Sequence, residues 1–180
     1  PLLVVIFDRA FHYPSFAAAV RERYRLYGPL AATWIVLAML VWSAPRAASA
    51  GFDVGVSPWT YLLNQGPILT DYLRTAFWPS HLVFTYGEPL PLDFASASPY
   101  LALISVLLVA TLWAWWRKPA LGFPGVAFFL MLAPTSTIVP IATEVGAERR
   151  MYLPLVALIG LVVVGIAAVA RRLTQPLFVL

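Results

Sequence analysis

Between Met151 and Ala170 the chain runs twenty residues without a charge, and Arg171 and Arg172 close the run. Between Pro99 and Trp116 it runs eighteen more, closed by Arg117 and Lys118. Stretches of this length match the ~20 residues an α-helix needs to cross a hydrocarbon layer ~30 Å thick. Pro29 to Ala44 reads as a further span, with Tyr27 or Gly28 at its start and Pro45 at its end. Ala120 to Ala133 is apolar but only 14 residues long, a rise of ~21 Å, so part of the Pro-Thr-Ser-Thr segment after it is expected at membrane depth, where protein must satisfy its backbone. Pro1 to Phe7 reads as the tail of another spanning helix, as in a fragment that begins inside one, and lacks the basic leading region of a signal peptide. The fold class that follows is all-α, a polytopic transmembrane helical bundle.

Composition agrees. The chain is 61% hydrophobic and 11% charged, against roughly 25% charged in an ordinary soluble domain. The net charge of +4 does not point to nucleic acid, because the basic residues sit at the ends of apolar runs. They act as topology signals. If 8–28, 117–118 and the segment from Arg171 face the cytoplasm, that side holds 8 of the 12 basic residues, and the other side holds six of the eight acids. The positive-inside rule then places the long loops 45–98 and 133–150 away from the cytoplasm. No cysteine is present, so thiolate chemistry and disulfides are excluded. There is no internal repeat, phosphate-binding glycine loop, metal-ligand spacing or nucleophile elbow. His12 and His81 are expected on opposite sides of the membrane and so cannot pair.

The first outer loop carries a helix signature of its own, the hydroxyl of Ser57 followed by Pro58. Tyr61, Leu62, Ile68, Leu69, Tyr72, Leu73, Ala76 and Phe77 then recur at helical spacing, and Gly66 and Pro67 predict a kink. One reading lays this amphipathic helix along the outer membrane surface, with Trp59, Tyr61, Phe77 and Trp78 as interfacial anchors. The other makes it a buried packing helix. Trp78 to His81 reads as the turn that ends it.

The second outer loop holds the charges that most invite a functional reading: Glu144, Glu148, Arg149 and Arg150, set directly before the last span. A helix beginning near Thr143 would put Glu144, Glu148 and Tyr152 on one face, send the two arginines to different sides, and leave the Arg150 carbonyl unbonded because Pro154 has no amide. A helix N-terminus with free amides and guanidinium forks is an anion site matched to phosphate oxygens. The competing reading is a structural ion pair between Glu148 and one of the arginines.

Tyr61-Leu62-Leu63-Asn64-Gln65, Asp71-Tyr72-Leu73-Arg74, Phe77-Trp78-Pro79, Leu82 to Tyr86, Leu132 to Ser136, Ile138 to Ile141 and Ala147-Glu148-Arg149-Arg150-Met151-Tyr152-Leu153-Pro154 together are similar to the membrane portion of the transmembrane and tetratricopeptide-repeat O-mannosyltransferases and their bacterial relatives, in the GT-C glycosyltransferase superfamily. The likeness covers most of residues 57–160, and its distinctive part is the Ala-Glu-Arg-x-x-Tyr-Leu-Pro block. It implies a multi-pass enzyme, in the inner membrane for a bacterial relative, that moves a sugar from a polyprenyl-phosphate carrier to a protein or glycan acceptor on the extracytoplasmic face. It also implies Glu148, Arg149, Arg150 and Tyr152 as pocket residues for the lipid phosphate or substrate, with no cofactor beyond the lipid-linked donor. The catalytic acid of such enzymes lies in a first outer loop that would precede Pro1. Asp71 and Glu88 lie on the expected side, but no motif makes either catalytic. The alternative is a non-catalytic membrane scaffold or lipid-binding anchor; a transporter is disfavoured because no span carries an interior ionisable residue.

Overall fold

The computed structural model describes residues 1–43, 51–52, 55–80, 82–136 and 139–174; Ala44, Pro45, Arg46, His81 and Ile138, which entered the sequence reading, lie outside the described residues. The architecture is all-α. In chain order the helices are α1 (Leu2–Phe11), α2 (Phe16–Ser43), α3 (Pro58–Phe77), α4 (Phe94–Arg117), α5 (Pro119–Leu132) and, after a 3-10 turn at Glu148–Met151, α6 (Tyr152–Thr174). Two of them, Phe94–Arg117 and the stretch Glu148–Arg171, are long and apolar enough to cross a membrane. Only 6% of each apolar window is buried inside the protein, so neither is the core helix of a soluble bundle.

Several boundaries differ from the sequence reading, each for a local reason. α2 starts at Phe16, not at Tyr27 or Gly28, so Arg21, Arg23 and Arg25 are helical and Pro29 lies within the helix; the chain leaves helical geometry at Arg23, with φ −111° and ψ 22°. α4 starts at Phe94 rather than Pro99. Pro99 cannot donate to the carbonyl of Ala95, and the Ser98 hydroxyl donates to it instead at 2.9 Å, so the helix continues across the proline. α6 starts at Tyr152, not near Thr143: Thr143 to Ala147 is not helical, and the turn Glu148–Met151 precedes the helix. Pro154 therefore occupies the first turn of α6, a position where a missing amide costs nothing.

α3 begins as its sequence predicts. Ser57 is the N-cap and accepts from the Thr60 amide at 3.0 Å, with Pro58 in the first turn. It runs as one helix through Gly66 and Pro67, and the missing side chain at Gly66 admits Leu101 of α4, whose atoms would lie 3.1 Å from a Cβ there. Its buried face carries Tyr61, Ile68, Leu69 and Tyr72, which pack with Phe128 and Leu132 of α5, Val145 and Met151. Of the four expected interfacial anchors, Trp59, Phe77 and Trp78 are exposed but Tyr61 is fully buried. The packing-helix reading of this segment is the one its buried face supports.

α4, α5 and α6 pack side by side, with α3 against α4 and with α1 joining α5 to α2. Phe7 and Phe11 of α1 meet Phe123 near the start of α5, and Phe16 stacks on Trp115 near the end of α4. The α1–α2 and α4–α5 turns thus share one end of the bundle. α3 and the loops around it occupy the other end, one α5 length away.

Candidate functional site

The polar residues of α3 sit where they can tie down loops. The Asn64 side-chain amide donates to the Leu90 carbonyl at 2.8 Å and accepts from the Leu90 amide at 3.1 Å, as a neighbouring strand would. The Tyr72 hydroxyl donates to the Ala147 carbonyl at 2.8 Å and accepts from the Ala147 amide at 2.6 Å. Gln65 donates to the Val145 carbonyl and the Tyr61 hydroxyl to that of Thr135. One helix therefore fixes segments on both of its sequence flanks. Those segments also bind each other, Tyr86 N to Gly146 O at 2.9 Å and Val145 N to Gly87 O at 2.8 Å. Gly146 must lack a side chain, because a Cβ there would lie 2.6 Å from Ile68 Cγ2. Burial pushes the Tyr72 phenol up to about 12, so it stays a hydroxyl able to both donate and accept.

On this frame the charges fall into an arrangement that the sequence did not predict. Glu144, not Glu148, is the hub: its two carboxylate oxygens accept from Arg149 Nη2 at 2.5 Å and Arg150 Nη2 at 2.7 Å. Both arginines thus turn toward one acid rather than to different sides. Arg150 is 10% exposed and also donates to the carbonyls of Thr135, Val145 and Glu144. It is a structural cation that closes the loop. Arg149 is 53% exposed, and its guanidinium lies 5.1 Å from the centre of the exposed Phe84 ring. Glu148 pairs with neither; its Oε1 accepts from the Val83 amide at 2.8 Å, holding the two loops together. Tyr152, 78% exposed, does not share a face with Glu144, since no helix joins them. Of the four pocket residues that the resemblance implies, Arg149 is the one placed to meet a ligand with its charge exposed. Asp71 lines a polar cleft next to Phe84, and Glu88 is exposed on the loop.

A second polar cluster, at the opposite end, had no signal in the sequence. Asp8 of α1 is fully buried and accepts from Arg23 Nη1 at 3.0 and 3.2 Å and from the Tyr27 hydroxyl at 2.7 Å, with His12 Nδ1 at 3.6 Å. The departure from helical geometry in α2 falls at Arg23, the residue that turns to this carboxylate. Read as loop residues, Asp8 and Arg23 looked like topology charges; paired across two helices they are a fastener.

Among the described residues no group of three or more His, Asp or Glu side chains is placed to hold a metal ion. Comparisons with models of protein families, with curated proteins and with solved structures return no match.

Proposed function

We propose that this chain is part of a multi-pass membrane glycosyltransferase of GT-C type, and that Arg149 receives the phosphate of a polyprenyl-linked sugar donor on the extracytoplasmic face. The observation that carries the reading is the division between the two arginines. Arg150 is consumed by four acceptors, whereas Arg149 keeps half its surface free beside Phe84 at the head of the apolar helix α6. An exposed guanidinium at a membrane boundary is matched to a phosphate leaving group. The multi-pass assignment draws further support from α2, whose Ile35, Val36, Leu37, Met39 and Leu40 are all exposed, as expected of a third lipid-facing helix. In the reaction the acceptor oxygen bonds to the anomeric carbon, the bond from that carbon to the phosphate oxygen breaks, and the phosphate keeps the electron pair. The base that takes the acceptor's proton is not assigned to a residue of this chain.

The rival reading, a non-catalytic scaffold or lipid-binding anchor, rests on Arg150 and Glu148 being spent on the loop's own architecture. Sugar transfer in the full-length protein decides between them. Arg149→Ala should slow transfer from a polyprenyl-phosphate donor by about one to two orders of magnitude, the worth of one charge-assisted contact of roughly 1.5–3 kcal/mol, without lowering the melting temperature in detergent. Arg150→Lys should do the reverse, lowering the melting temperature because one ammonium cannot reach four acceptors. Full transfer activity in Arg149→Ala would end the phosphate assignment, and no transfer by the unsubstituted full-length protein would favour the scaffold.

A further inference from the structure

Between Ser80, Val83, Thr85 and Tyr86 on one side and the last two turns of α3 on the other lies an open cleft of about 410 Å³, within the usual range for small-ligand sites. Asp71, Arg74, Thr75, Ser80, Thr85 and Tyr86 line it, with Val83 as its apolar member. We propose that this cleft binds a neutral hexopyranose ring, as the sugar site of the donor or acceptor; the proposal rests on the transferase reading above and deepens it.

Three features of the cleft support it. Its formal charges cancel, one carboxylate against one guanidinium, which removes the attraction a phosphate or carboxylate ligand would need. Asp71 and Arg74 stand three residues apart on one helix, a spacing at which opposite charges meet. Among the described residues, however, neither side chain has a hydrogen-bond or ion-pair partner. A free carboxylate acceptor and a free guanidinium donor, with the Ser80 hydroxyl beside them, are a set that vicinal ring hydroxyls satisfy; the Thr85 hydroxyl is already engaged by Gly146 and Gly87, and that of Tyr86 by Thr75. Tyr86 adds an O–H that stays protonated, its acidity suppressed by burial and then by Glu148 and Asp71.

The surroundings suit an amphipathic ligand. Through Thr75 the polar cleft adjoins a second one of about 340 Å³, where Ala76, Pro79, Leu82, Met151 and Leu155 give an apolar wall that leads onto α6. Phe84, which carries the Arg149 guanidinium, sits in sequence between Val83 and Thr85 of the polar cleft. A neutral ring in the cleft, a phosphate on Arg149 and an apolar tail toward α6 are thereby offered three adjoining environments.

Saturation-transfer NMR on the full-length protein in lipid nanodiscs tests the cleft, with the methyl glycosides of mannose, glucose, galactose and N-acetylglucosamine as probes. At least one glycoside should receive saturation on its ring protons. Asp71→Asn and Arg74→Gln should each weaken that binding by about tenfold or more, and Ser80→Ala by less. These side chains are half-buried or exposed, so an unchanged melting temperature is expected and is measured alongside. Absence of transfer to every glycoside, equal transfer in all three variants, or preference for glucose 6-phosphate over the neutral sugars would each overturn the proposal. Binding of undecaprenyl phosphate to the same samples separates the two ideas, because it depends on Arg149 and not on Asp71. If the glycosides fail while the lipid phosphate binds, the cleft assignment falls and the transferase reading stands. If the glycosides bind and the lipid phosphate does not, the cleft stands and the donor reading falls.

Discussion

Arg149 and Arg150 are adjacent and chemically identical, yet burial separates them into an exposed group and an internal brace. Their sequence spacing could not assign these roles, because it was read on a helix that begins nine residues too early. What the sequence did show was the composition of the block, four charges beside a spanning run. It did not show that Glu144 would be the shared acid, since that depends on a non-helical path from Thr143 to Ala147. Tyr72 is the residue whose importance was least visible, because a tyrosine in an apolar stripe reads as packing. Replacing it with Phe leaves the Ala147 amide buried without a partner, while the Ala147 carbonyl keeps the Arg150 amide at 3.0 Å, so Tyr72→Phe should cost about 1–3 kcal/mol in detergent unfolding. The cost should also depend on pH. The phenol's folded value, about 12, lies above the ordinary 10, so its contribution is complete below pH 10 and is lost as pH rises through 12. Unfolding midpoints measured across that window should converge for the two proteins; a constant gap would show that the hydroxyl does not stabilise the fold through its proton.

The helices themselves were legible because length and apolar character act without reference to tertiary contacts. Their ends were not: α4 continues through Pro99, where the Ser98 hydroxyl bonds the carbonyl the proline leaves free, and α2 runs on through Pro29. Helix contacts were also out of reach of the sequence, and the glycines record them. A Cβ on Gly122 of α5 would lie 2.4 Å from the Trp115 backbone of α4, and one on Gly125 would lie 2.6 Å from Thr111 Oγ1. A single residue, Lys118, joins the two helices, so they have little freedom to move apart. Gly122→Ala should therefore destabilise by several kcal/mol or prevent folding, as overpacking against backbone does. Gly160 of α6 has nothing within 4 Å, and Gly160→Ala should be neutral or stabilise by up to about 1 kcal/mol through helix propensity. Thermal unfolding of the two variants side by side checks the contrast; equal effects would mean that α4 and α5 do not meet as closely as described.

For the molecule as a whole, the charge count predicted that the two long loops share one side, and the bundle brings the 82–92 and 139–151 segments together at the end remote from the α1–α2 turn. Which side of a membrane that end occupies is read from the basic residues. Cysteines at Thr85 and Thr143, both exposed, should react with an impermeant reagent added outside intact cells, and a cysteine at the exposed Tyr24 should not. Labelling at Tyr24 with none at Thr85 would invert the orientation and overturn the proposal of an extracytoplasmic donor site. The mutual stitching of the two loops also has a mechanical meaning. Tyr86 is bonded to Gly146, Val145 to Gly87 and Ala147 to Tyr72, so neither loop can lift without loosening the other and its hold on α3. They form a single rim that opens as one unit or not at all. In hydrogen exchange the amides of Tyr86, Val145 and Ala147 should accordingly report one common opening free energy, and a ligand that braces any of them should slow all three.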